Sequence, residues 1–245
     1  MGFFDWVIKI LSTYWPMFLR GAGVTILISM IGTVVGFFIG LLAGVVRTIP
    51  VPDESNKLKR VVLKIINAVI SVYVAIFRGT PMIVQAMVIY YGTAMMFDIH
   101  LNNIFAGIFI VSINTGAYMA EIVRGGIVSI DKGQFEAAHA IGMTHIQTMK
   151  CIILPQVIRN ILPATGNEFV INIKDTSVLN VISVTELYYQ TKSIAGVNFR
   201  YFEAFFITCI IYFVLTFTIT QILRYFERKL DGSENYEMVS SQESR

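Results

Sequence analysis

Apolar residues fall in long unbroken blocks along the chain. Residues 21–46, 101–120 and 204–223 contain no Asp, Glu, Lys or Arg, and about 20 such residues in a helix cover a hydrocarbon core of roughly 30 Å. Each block predicts a transmembrane helix. Two further crossings are interrupted. Residues 61–97 carry only Lys64 and Arg78 and are broken by Arg78-Gly79-Thr80-Pro81, and a crossing near 167–187 contains Lys174, Asp175 and Glu186. The expected architecture is an all-α integral membrane protein of one domain, 1–245. Its five spans lie at about 21–46, 61–97 (one broken span), 101–123, 167–187 and 204–226, with a loop at 125–163 and a tail at 227–245. The aromatic-rich stretch before residue 21, including Phe3, Phe4, Trp6, Tyr14 and Trp15, predicts a segment lying in the membrane interface, with disorder at the end as the alternative.

Charge orients these spans. Short loops rich in Lys and Arg stay cytoplasmic, and five crossings put Arg47, Lys57, Lys59, Arg60 and Lys64 on one side with Arg124, Lys132, Lys150, Arg159 and Lys174 and the basic residues of the tail. Only Lys9, Arg20, Lys192 and Arg200 fall opposite. The amino terminus is therefore expected outside and the carboxyl terminus in the cytoplasm of a bacterial inner or plasma membrane. Composition agrees, with 55% hydrophobic and 14% charged residues and a mean hydropathy of +0.67, against about 25% charged in soluble domains. The basic residues lie between apolar runs without interleaved aromatics, which argues against nucleic acid as a partner.

The loop has its own helix signals. Asp131 with Gln134 resembles a capping box, Gly142 suits a left-handed helix end, and Thr144 with Gln147 starts a second short helix. That helix is expected to align Ile146, Met149, Ile152 and Ile153 on one face and to end at Pro155. Within this loop the sequence reads Glu136-Ala137-Ala138, three residues, Gly142, nine residues, Ile152, one residue, Leu154-Pro155. This run resembles the EAA signature of ABC importer permeases. Further stretches resemble the polar amino-acid uptake branch of that family: Arg78-Gly79-Thr80-Pro81 with Gln85, residues 117–126 from Ala117 to Gly126, Gly133-Gln134, Leu154-Pro155-Gln156 and Lys174-Asp175-Thr176-Ser177. Where the branch often has Ala, this chain has Gly116.

The resemblance implies a permease that catalyses no covalent chemistry, works with two ATP-binding subunits, a second permease chain (identical or a paralogue) and an external solute-binding protein, and carries an amino acid by alternating access. ATP and magnesium belong to the partner ATPase subunit. No glycine precedes a lysine in this chain, so it lacks a phosphate-binding loop. Gln134, Glu136, Ala137, Ala138 and Gly142 are then expected to couple the permease to the ATPase, small side chains permitting close approach and Glu136 giving an oriented charge. The plainer alternative is an Ala-rich turn packed on the bundle. A secondary amino-acid transporter or channel not driven by ATP is the alternative function.

Polar residues within spans are the other candidates, because charges there are costly unless paired or beside a wet path. Asn114, Thr115, Lys174, Asp175, Thr176, Ser177 and Glu186 are read as translocation path or gate, with structural pairing and helix-packing hydrogen bonds as alternatives. Lys174 and Asp175 point about 100° apart on a helix and cannot pair well along one face. Arg78, Gly79, Thr80 and Pro81 are either a hinge or a span start, and Glu121 with Arg124 pins a helix end or gates. No metal is expected, since His100, His139, His145 and the two cysteines lack ligand spacing.

Overall fold

The computed structural model describes residues 2–50 and 57–230. Most of the tail therefore lies outside the described residues. The chain forms α1 (Phe3–Val46), α2 (Lys57–Gly79), α3 (Met82–Phe97), α4 (Asn103–Val128), α5 (Lys132–Ala140), α6 (His145–Thr148), a π-helical turn (Met149–Ile153), α7 (Leu154–Asp175), a 3-10 segment (Thr176–Ile182), α8 (Leu187–Asn198) and α9 (Tyr201–Leu230). It is all-α. Among the described residues, four helices, α1, α2, α4 and α9, are long and apolar enough to cross a membrane, and α3 is a shorter apolar helix.

The core is a parallel pair. Glycines at 32, 36, 40 and 44 of α1 face Val111, Thr115, Met119 and Val123 of α4 at a constant offset in sequence, so the two helices run in the same direction. Without side chains there, the backbones approach closely, which is what drives helix association where lipid removes the hydrophobic driving force. A Cβ on Gly36 would lie 2.7 Å from Thr115 Cβ, and one on Gly32 2.5 Å from Val111 Cγ1. Gly36→Val is therefore expected to destabilise the protein by about 1–3 kcal/mol or more, read as a lower thermal unfolding midpoint in detergent. An unchanged midpoint would show that the helices separate freely.

The structure redraws three of the expected bounds. The interfacial segment before residue 21 is not separate: α1 is one helix of 44 residues, roughly 66 Å long at 1.5 Å per residue. Its first half stays helical through Pro16 because Ile10 and Phe18 are buried with Leu187, Ile194, Ala195, Ala204 and Ile207 of α8 and α9. Residues 61–97 are two helices, the first with 23 residues. Together they run antiparallel to α4, since Val74 packs with Ala120, Asn114 donates to the Phe77 carbonyl and the Tyr90 hydroxyl donates to Asn103.

The third bound concerns residues 167–187. The helix there begins at Leu154, with Pro155 in its first turn, where a missing N–H leaves nothing unpaired. Pro155 opens α7 where the pattern had it ending the preceding helix. Val157 and Ile161 bury against α4 beside Gly126, so residues 154–163 belong to the bundle and not to the loop. The α-helix stops at Asp175, and Ser183 takes a left-handed conformation (φ 59) after the 3-10 segment.

Candidate functional site

Two places carry chemistry. The first is a cavity of about 310 Å³ lined by Thr80, Pro81, Met82, Asn114, Tyr118, Glu168, Ile171, Asn172 and Asp175. Its walls follow from the helix geometry. Glu168 and Asp175 are seven residues apart on α7, two turns at 3.6 residues per turn, and so share one face. Pro81 breaks the α2–α3 run opposite them, and Asn114 and Tyr118, four apart on α4, supply a third wall. The Arg78 guanidinium lies 5.4 Å from the Tyr118 ring centroid, within the roughly 6 Å reach of a cation on an aromatic face.

Behind the wall is an amide network. Pro81 has no N–H, so the Phe77 carbonyl four residues earlier loses its helical donor. Gln85 Nε2 donates to that carbonyl at 3.0 Å and to the Thr80 carbonyl and hydroxyl at 2.9 and 3.0 Å. Asn114 Nδ2 donates to the Phe77 carbonyl at 3.3 Å and to Gln85 Oε1 at 2.9 Å. Thr80 Oγ1 donates to the Ile76 carbonyl at 2.8 Å. Side chains thus replace what the broken helix lost, as a membrane requires. On the remaining side Asn172 Nδ2 donates to Thr33 Oγ1 at 2.8 Å and Thr115 Oγ1 at 2.9 Å, fastening α7 to α1 and α4.

Of the residues read from sequence as path or gate, the structure brings Asn114 and Asp175 to this cavity. Thr115 sits behind it in the Asn172 network. Lys174 points elsewhere, as a neighbour 100° around the helix must, and does not line the cavity. Thr176 is buried and donates to the Ile173 carbonyl, and the Ser177 carbonyl accepts from Asn180. Glu186 is far from it in role: fully buried, it caps α8 by accepting from the Tyr188 and Tyr189 amides at 2.8 and 2.7 Å and from the Tyr212 hydroxyl at 3.1 Å. Sequence reasoning misses Glu168, although its seven-residue spacing from Asp175 was legible.

At the Val46 end of α1, Glu121 is held between Arg124, whose Nη2 is 2.9 Å away, and Arg47 at the carboxyl end of α1. The pair expected from sequence is thus a triad, and Arg47 is the member found only in three dimensions. Arg78 and Gly79 end α2, and Thr80 and Pro81 separate it from α3.

The second place is the loop 129–153. The Asp131 carboxylate accepts from the Gly133 amide at 2.6 Å and caps α5. Gly142 (φ +82) ends it, with Met143 N–H on the Ala138 carbonyl and Gly142 N–H on the His139 carbonyl, the Schellman arrangement that a left-handed residue permits. Thr144 and Gln147 form a reciprocal box at α6. Gln134, Glu136, Ala137 and Gly142 are exposed, whereas Ala138 is 1% exposed. Of the predicted apolar face, Met149 and Ile153 are buried, but Ile146 is 77% exposed, as is Ile141. Burial first, and then the nearby His139, push the His145 imidazole below its ordinary range, favouring the neutral form.

A helical bundle with a polar cavity at a broken helix and a capped, partly apolar loop at one end defines a membrane permease. The chain belongs to the family described as binding-protein-dependent transport system inner membrane component, whose model matches residues 58–232. It is 38% identical over 231 residues to the glutamine transport system permease protein GlnP of Escherichia coli (strain K12), covering 93% of this chain and 98% of that one. It is 30% identical over 219 residues to the arginine transport system permease protein ArtQ of Bacillus subtilis (strain 168), covering 89% and 94%. The crystal structure of an amino acid ABC transporter with histidines matches at TM-score 0.79 and 36% identity, covering 94% of this chain and 99% of that one. Inward-facing MetNI methionine ABC transporter, at TM-score 0.66 and 18% identity, shares the fold. The reading as a transporter not driven by ATP is not favoured.

Proposed function

We propose that this chain is the membrane-spanning subunit of an ATP-driven importer of polar amino acids, and that the cavity at the α2–α3 break receives the amino acid. The observation that carries this is the Glu168 and Asp175 pair. Two carboxylates on one helix face within a membrane bundle are costly unless cations offset them; Arg78 beside the cavity acts on Glu168, and the ammonium group that every amino acid brings would serve Asp175. Names of similar permeases, for glutamine and arginine transport, support the substrate class.

The loop 129–153 is the docking surface for the ATPase. Ile141 and Ile146, exposed on a polar loop among Gln134, Glu136 and Gly142, are the apolar contacts that such a joint needs. The assembly comprises two permease chains, two ATPase subunits that hold ATP and magnesium, and an external solute-binding protein, with this loop and the carboxyl terminus cytoplasmic and the amino terminus outside. Closure of the ATPases on ATP then shifts the bundle between inward-open and outward-open states. Co-expression with an ABC ATPase and reconstitution with a solute-binding protein tests the reading: amino-acid uptake should require both ATP and the ATPase. Uptake that persists without the ATPase overturns it.

A further inference from the structure

We infer that Gln85 is a positioning residue that ties occupancy of the cavity to the geometry of the α2–α3 break; this rests on the cavity receiving the amino acid. Gln85 is buried and does not line the cavity. It touches the cavity only through its partners, Thr80 and Asn114, both of which line it.

The number of donors makes the link. An Asn side chain has two N–H groups, and Asn114 spends its amide nitrogen on the Phe77 carbonyl and on Gln85 Oε1. A carboxylate or carbonyl entering the cavity can take an N–H from Asn114 only if one of those bonds is given up. Either loss weakens the same joint, since Gln85 and Asn114 together replace the N–H that Pro81 lacks. With Asn114 withdrawn, the Phe77 carbonyl keeps only the Gln85 bond and the angle between α2 and α3 is less firmly held. An empty cavity therefore holds the break fixed, and a bound amino acid loosens it. A break that merely needed filling would be served as well by an ordinary helix, and Ala at position 81 would supply the missing N–H directly.

The test uses the reconstituted transporter with its ATPase and binding protein, and reads ATP hydrolysis with and without amino acid. Gln85→Met keeps length and removes both donor and acceptor. Stimulation of ATP hydrolysis by amino acid should fall about tenfold or more, because the variant loses all the bonds Gln85 makes to Phe77, Thr80 and Asn114, with assembly retained. The double variant Pro81→Ala with Gln85→Met regains an N–H for the Phe77 carbonyl and should recover any lost thermal stability without recovering stimulation. Wild-type stimulation in Gln85→Met overturns the inference. So does full recovery of stimulation in the double variant, which would make Gln85 a filler for proline. Glu168→Gln with Asp175→Asn, run beside them, separates the two ideas: unchanged uptake there removes the cavity itself, whereas lost uptake with normal Gln85→Met stimulation removes only the link.

Discussion

Uptake by reconstituted vesicles is expected to fall by about tenfold to a hundredfold when Glu168 is changed to Gln and Asp175 to Asn, because a hydrogen bond to a charged group contributes about 1.5–3 kcal/mol. The changes keep shape and remove charge. Both residues line the cavity with Asn114 and Asn172, so the loss should appear as weaker binding of the ammonium group. Neither lies on the loop proposed to meet the ATPase, and pull-down of that subunit should be unaffected. Wild-type uptake would take the acidic pair off the path. Loss of both uptake and assembly would mean that the carboxylates hold the bundle together.

Gly142→Val is expected to abolish amino-acid-driven ATP hydrolysis while the chain still inserts. At φ +82, a residue with a side chain pays roughly 1–2 kcal/mol, and a β-branched one fares worst. Nothing lies within 4 Å of a Cβ there, so the damage is to the backbone turn that sets the angle between α5 and α6, not to packing in this chain. Glu136→Lys and Ile146→Ser probe the exposed surface without touching the turn, and each should weaken retention of the ATPase on an affinity column. Full retention and normal hydrolysis in all three variants would remove the loop from coupling.

Much of this was available in the residues alone. Charge-free blocks at 21–46, 101–120 and 204–223 had no alternative to a helix in lipid, since an unpaired backbone cannot exist there, and α1, α4 and α9 contain them. The caps at Asp131, Gly142 and Thr144 are local in sequence and were readable for that reason. Glu121 and Arg124, three apart, were likewise visible as a pair.

What tertiary structure decided depended on partners distant in the chain. The first half of α1 and the start of α7 stay helical because Ile10, Phe18, Val157 and Ile161 find apolar neighbours. The broken region resolved into two helices because Gln85 and Asn114 supply donors for the carbonyl that Pro81 strands. Ala138 is buried and Ile146 exposed, a choice that spacing along the loop did not show. The sequence by itself determined the helices, the caps and the class of protein, because these follow from solvent and from neighbours a turn away. Which polar residues share one cavity, Asp175 with Glu168 and not with Lys174, was decided only when α2, α3, α4 and α7 were brought together, since facing across a bundle is a property of packed helices and not of spacing along one.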